Sequence, residues 1–295
     1  VTGRLVAAAL LAAAAACTGP SRKADEANAL RHAGRPREAL ALYREILAEL
    51  GEGRLPAGEA DLRLRALRSA ADVSYLELGD FQGALAYYRR LAALYPGTDE
   101  AWQARATIGD IFRDRLGDRI GAIAQWAEIA AGPSPLAPRY QLQVARGYLE
   151  LKNTEQARTE ARILRERWPR SPEADEAQML AGQAWALEGR PEEALRAFQA
   201  LLDRGPPPAL AARALEAMAH LYAQRGPLER CGRESCLDRA IELYARALPA
   251  HPNPEAVHMN VESVRRRQEA ARPVRPGDRA AALDYQQPGE RQREP

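Results

Sequence analysis

Lysine is almost absent from this chain: Lys23 and Lys152 are the only two among 42 basic residues. Beside so much alanine, that scarcity reflects a GC-rich coding sequence rather than a need for arginine chemistry. An excess of one charge is missing as well. The 42 basic residues are balanced by 40 acidic ones, so the chain lacks the basic footprint that nucleic-acid binding requires, and no nucleic-acid partner is expected. Histidine is scarce, and His32, His220, His251 and His258 stand far apart, each reading as a surface or capping residue. There is no phosphate-cradling glycine loop, no serine nucleophile elbow and no paired-histidine zinc helix. No catalytic residue, metal or cofactor is therefore expected. The carboxylates mostly alternate with arginine, as on solvated helix faces.

What the chain has instead is a recurring unit. Residues 79–88 read Gly-Asp-Phe-Gln-Gly-Ala-Leu-Ala-Tyr-Tyr, and residues 189–198 read Gly-Arg-Pro-Glu-Glu-Ala-Leu-Arg-Ala-Phe. Aligned on a small residue, the units fall at Ala39, Ala84, Ala122, Ala157, Ala194 and Ala240, between 35 and 46 residues apart. Four residues on stand Tyr43, Tyr88, Trp126, Ala161, Phe198 and Tyr244, one helical turn away and so on the same face. Upstream, Tyr75, Phe112, Tyr148, Trp185 and Tyr222 mark the end of a preceding helix. Gly79, Gly117, Gly189 and Gly226 follow in the turn, where glycine relieves the left-handed strain of a helix C-terminus. A period of this length means stacked helical hairpins rather than one compact catalytic core. The expected fold is all-α, with alanine letting paired helices approach and the aromatics filling the space between hairpins.

This pattern resembles the tetratricopeptide repeat (TPR) family over residues 24–252. The fullest match is Gly182, Trp185, Gly189, Ala194, Phe198 and Pro206. Departures are Lys152 in place of the turn glycine, Ala161 in place of the second aromatic, one extra residue between Gly109 and Gly117, and Pro36 in a short first unit. The resemblance implies a right-handed superhelical solenoid of about six hairpins, closed by a capping helix over residues 253–271. Pro273, Pro276, Gly277, Pro288, Gly289 and Pro295 among many charges predict a disordered tail over 272–295. It also implies a non-catalytic scaffold whose first helices line a concave groove for protein or peptide partners. Carried over residue by residue, the groove positions are Arg139, Leu142, Arg146 and Leu149 in unit four, Glu176, Met179 and Gln183 in unit five, and Arg213, Glu216 and His220 in unit six. The lysine–asparagine clamp by which some members grip a terminal carboxylate is not visible.

The N-terminal segment addresses location. Arg4 precedes an apolar run over residues 5–16, too short for a bilayer span of about 20 residues but the length of a signal-peptide core. It ends in Ala14-Ala15-Ala16-Cys17 and resembles a bacterial lipoprotein signal, with Ala14 where leucine is usual and a single basic residue. The resemblance implies a lipidated Cys17 as the mature N-terminus, a linker over 18–23, and, through Thr18, the periplasmic face of the outer membrane. Plain secretion to a soluble periplasmic form and an alanine-rich cytosolic helix are the alternatives. The Trp168-Pro169-Arg170-Ser171-Pro172 linker is similar to those of envelope TPR lipoproteins of the β-barrel assembly and Tol-Pal type, which makes envelope proteins the expected partners and a β-barrel assembly role an alternative.

Three cysteines leave one unpaired in a secreted chain, and lipidation would remove Cys17 from the count. Cys231 and Cys236 lie in an insertion between the helices of unit six. In an oxidising compartment they read as a disulfide; a zinc site or a redox pair centred on the two are the other readings. The alanine register itself is open to test. Ala194→Phe should overpack the helix contact and cost roughly 1–3 kcal/mol, read as a lowered midpoint in thermal unfolding.

Overall fold

The computed structural model describes residues 19–226 and 229–271. The sequence forms thirteen α-helices among the described residues, taken here in two units, residues 1–180 and 181–295. The first holds α1 (Pro20–His32), α2 (Pro36–Leu50), α3 (Ala57–Asp72), α4 (Phe81–Leu94), α5 (Asp99–Asp114), α6 (Arg119–Ala131), α7 (Ala137–Glu150), α8 (Thr154–Arg167) and the start of α9 (Pro172–Leu187). The second holds the rest of α9, then α10 (Pro191–Asp203), α11 (Pro208–Ala223), α12 (Cys236–Ala247) and α13 (Pro254–Ala270). Consecutive helices pair into six hairpins, and α13 follows the last, as the repeat predicts. Residues 20–23, expected as linker, are instead the first turn of α1. Pro20 explains the early start, because proline at the first helical position has its φ preset and needs no hydrogen-bond acceptor.

The register places its residues in the core. Ala39, Ala84, Ala122, Ala157, Ala194 and Ala240 are each 0% exposed, and Tyr43, Tyr88, Trp126, Ala161, Phe198 and Tyr244 are buried with them. Paired helices meet closely where the first one carries glycine. A Cβ on Gly182 would stand 2.4 Å from Phe198 Cε1, and one on Gly109 would stand 2.4 Å from Trp126 Nε1. Where Ala161 stands in place of the aromatic, it shares a buried cluster with Leu142, Leu164 and Leu180.

Each hairpin turn solves the same two problems: ending one helix and starting the next. Gly34, Gly79, Gly117 and Gly189 adopt left-handed φ at the end of the first helix, and Lys152 takes φ 59° at the corresponding place in hairpin four. In hairpins two, three and four the second helix is then capped by a side chain. Asp80 accepts from Gly83 N, Asp118 from Gly121 N and Asn153 from Gln156 N, each satisfying a donor the helix cannot. In hairpin two the first helix runs on from α3 through a π-helical turn, Val73–Glu77, which the sequence pattern does not announce.

Hairpin six departs from this scheme. Gly226, expected as its turn glycine, does not take the left-handed conformation. A two-stranded hairpin replaces the short turn, pairing β1 (Arg230–Cys231) with β2 (Glu234–Ser235), and Cys231 and Cys236 are joined by a disulfide with Cα atoms 4.8 Å apart. Against this hairpin α13 buries Val257 and Val264. Near its end Arg267 donates to the carbonyls of Ala223 and Arg225, at 2.5 and 3.3 Å, which satisfies acceptors at the C-terminus of α11. The turn chemistry of hairpin four yields a prediction. Lys152→Gly should remove the cost of a left-handed non-glycine residue and stabilise the fold by about 1 kcal/mol, measured by denaturant unfolding.

Candidate functional site

The face to inspect is the one built by the first helices of the hairpins. Its upper end, in hairpins one and two, holds a cavity of about 300 Å³. Ser21, Asp25 and Asn28 of α1 line one side, spaced by four and three residues and so on one stripe. Arg65, Arg68 and Ser69 of α3 line the other, over a floor that includes Leu62 and Ala66. The repeat aromatic reaches through from behind: Tyr43 OH donates to Asn28 Oδ1 at 2.6 Å. This leaves the Asn28 amide nitrogen as a donor toward the cavity. Burial pushes the Tyr43 hydroxyl above its ordinary pKa, so it stays a donor.

Next along the same face a smaller cavity, about 70 Å³, lies among α3, α4 and α5. Arg68 lines this one too, with Asp72, Glu100, Gln103 and Thr107. Tyr88 OH donates to Asp72 Oδ1 at 2.6 Å, and burial together with that carboxylate drives its pKa upward. The second aromatic of each of the first two repeats therefore has two roles, core packing and holding a polar side chain of the groove in place. Farther along, Asp110 is half-buried and its carboxyl is held above the ordinary carboxylate range by burial, which Arg113 at 3.4 Å only partly offsets.

The residues assigned to the groove from family positions fare unevenly. Arg139 is exposed, with its guanidinium 5.8 Å from the Tyr140 ring. Arg146 forms an ion pair with Glu176 at 3.2 Å, so these two neutralise one another. Leu149 and Gln183 are half-buried, as is Arg213. Leu142 and Met179, expected on the binding surface, are 5% and 3% exposed and belong to the core. Helix phase is the reason: Leu142 stands three residues from Ala145 and packs with Ala157, Ala161 and Leu164. In the second unit Glu216 and His220 are engaged by residues that follow α12. His251 Nε2 lies 2.9 Å from Glu216 Oε2, and Asn260 of α13 contacts both Glu216 and His220, at 3.5 and 3.2 Å. His220 also meets the Tyr244 ring edge-on at 5.5 Å.

Sequence reasoning missed the residues that line the two cavities. Their signal was present, because Ser21, Asp25 and Asn28, and likewise Arg65, Arg68 and Asp72, recur at helical spacing on the first helices of units one and two. Cys17 and the expected tail over 272–295 lie outside the described residues. Among the described residues no group of three or more His, Cys, Asp or Glu side chains is placed to hold a metal ion, and no helix is long and apolar enough to cross a membrane.

Two family models, each described as Tetratricopeptide repeat, match the chain, one over residues 142–209 and the other over residues 64–108. The chain carries TPR repeats, and its fold is the all-α TPR fold. No curated protein matches it. Among solved structures, YrrB, described as a TPR protein with an unusual peptide-binding site, is 17% identical, with 75% of this chain and 97% of that one covered at a TM-score of 0.47. PilW, described as a widely conserved type IV pilus biogenesis factor, is 16% identical, with coverage of 81% and 98% and a TM-score of 0.45. A TPR protein from Parabacteroides merdae is 17% identical, with coverage of 83% and 84% and a TM-score of 0.41. What this chain binds has to be read from its own residues.

One of those residues can be tested by pH. Because the folded-state pKa of Asp110 is raised, its charged form costs stability above that value, and the cost vanishes below the ordinary carboxylate pKa of 3.8. Asp110→Asn should therefore raise the melting midpoint at pH 7, by about 1–3 °C, and lose this advantage as the pH falls toward 4.

Proposed function

We propose that this chain is a non-catalytic scaffold that binds a segment of a partner protein along the first-helix face of hairpins one to three. The observation that carries the reading is Arg68. Its side chain lines both cavities, is exposed, and has no carboxylate ion pair among the described residues. Around it lie fixed hydrogen-bonding groups, Asn28 and Asp72, each held by a buried tyrosine hydroxyl. Side chains already positioned before binding lose little entropy on meeting a partner. TPR proteins bind peptides and proteins, and a groove of alternating donors, cations and carboxylates suits an extended polar segment.

We place the scaffold at the bacterial envelope, held by lipid on Cys17 at the periplasmic face of the outer membrane. The lipoprotein-like signal motivates the anchor, and the Cys231–Cys236 disulfide fits an oxidising compartment. With α1 beginning at Pro20, Thr18 and Gly19 alone would separate the anchor from the array. Two residues span at most about 7 Å, so the first hairpin would work at the membrane surface. In this reading the disulfide is structural, closing the loop of hairpin six, and envelope proteins are the partners.

The test is crosslinking of the tagged full-length chain in intact cells of the same envelope type, followed by mass spectrometry of what co-purifies. Cys17→Ser should move the protein out of the membrane fraction and change its mass. Arg68→Glu should weaken capture of the partner at least about tenfold, or 1.4 kcal/mol, with its melting midpoint unchanged. An unchanged set of partners in the Arg68 variant would remove the groove from the mechanism, and an unchanged fractionation of the Cys17 variant would remove the anchor.

A further inference from the structure

On the opposite side of hairpins one and two, between their second helices, lies another cavity of about 300 Å³ that the partner groove does not use. Leu47 and Ala48 of α2 and Gly51 just after it form the apolar part, and Arg44, Tyr87 and Arg90 form the rest. The two guanidinium groups are engaged in different ways. Arg44 Nε donates to Tyr87 OH at 2.9 Å and has no carboxylate partner among the described residues. Its acidic neighbours on α2, Glu45 and Glu49, are drawn to Lys23 of α1 instead. Arg90 Nε is buried and makes no hydrogen bond, although Glu52 Oε1 lies 3.0 Å away. The charge of Arg90 is thus met by a carboxylate that is itself largely exposed, and such a pairing is weak and easily exchanged.

The wall of this cavity is rigid. Arg63, itself buried, donates to the carbonyls of Gly51 and Gly53 at 3.0 and 2.9 Å and to Tyr95 OH at 2.8 Å, pinning the loop after α2. Gly51 turns there at φ 58°. The site thus has a fixed wall, an unpaired guanidinium on one side, a guanidinium paired with Glu52 on the other, and apolar side chains between them. A small hydrated anion such as phosphate would gain from the guanidinium groups but nothing from Leu47 and Ala48. An uncharged aliphatic group would gain from the floor and leave the guanidinium groups as they are.

We propose that this cavity binds a carboxylate carried on an aliphatic group. The carboxylate lies between Arg44 and Arg90, supplying acceptors to both and displacing Glu52 from the rim, while the aliphatic part rests on Leu47 and Ala48. The site is separate from the partner groove, and its occupation does not depend on the function proposed above.

Saturation-transfer NMR on the full chain tests this with four probes: N-acetylleucine, which imitates a chain end, 4-methylpentanoate, which imitates a free aliphatic acid, N-acetylleucinamide, and inorganic phosphate as a competitor. Saturation should reach the methyl groups of the two carboxylates and not those of the amide. Phosphate should fail to displace them at equal concentration. Arg44→Gln, an exposed change that leaves the melting curve as it is, should weaken binding about tenfold, as expected for losing a charge-assisted hydrogen bond. Glu52→Gln should tighten it about twofold by removing the competing acid. Whichever carboxylate binds more tightly identifies the source, chain end or free acid, and both results support the site. Equal saturation of acid and amide, displacement by phosphate, or an Arg44→Gln variant that binds like the parent would overturn the proposal.

Discussion

Close approach of the two helices in each hairpin is the constraint on which the rest of this molecule depends. Six alanines at equivalent positions are wholly buried, and glycines on the facing helix stand so near an aromatic ring that an added Cβ would collide with it. Small residues let the helix axes come together. The large residue one turn later then fills the space that the approach leaves open, at the packing density expected of a protein interior. Because each unit contributes only one such contact, stability is distributed along the chain and no single residue holds it all.

Close packing leaves the polar groups of the backbone to be satisfied at the helix ends, and the chain does this with a small set of repeated devices. Left-handed residues end the first helices of hairpins one to five, and Asp80, Asp118 and Asn153 cap the second helices of hairpins two to four. The same logic governs the end of the array. There α13 buries its own Val257 and Val264 while Arg267 closes the carbonyl ends of α11. Glu216 and His220, which would otherwise face outward, are drawn into contacts with His251 and Asn260. A terminal helix that buries apolar surface on one side and spends polar groups on the other is what an open stack requires to remain separate from its neighbours.

Function follows from what that packing leaves unspent. In hairpins one to three the aromatic positions are tyrosine twice, and a tyrosine hydroxyl, unlike a phenylalanine edge, carries the influence of the core to the surface by fixing Asn28 and Asp72. Arg68 stands between those two fixed points without a carboxylate of its own. Hairpin four is different, since Arg146 and Glu176 pair with each other and offer a partner less net charge. In the proposed scaffold the part of the array that binds is accordingly the part nearest the N-terminus.

The sequence by itself determined the helical hairpins, their number, the buried alanine and aromatic register, and the closing helix. Those features depend on local spacing along the chain, where a turn of helix converts sequence separation directly into a shared face. Groove residues were legible in part. Family positions led to Arg139 and Arg146, which are surface residues, but also to Leu142 and Met179, which are core, because a shift of one position in helix phase exchanges the two faces. Only the tertiary structure decided which charges remain available, since the partners of Arg146, Glu216 and Arg90 come from residues 30, 35 and 38 positions away. It also decided where cavities form, because these are gaps between elements, set by the separation of side chains that no local pattern brings together.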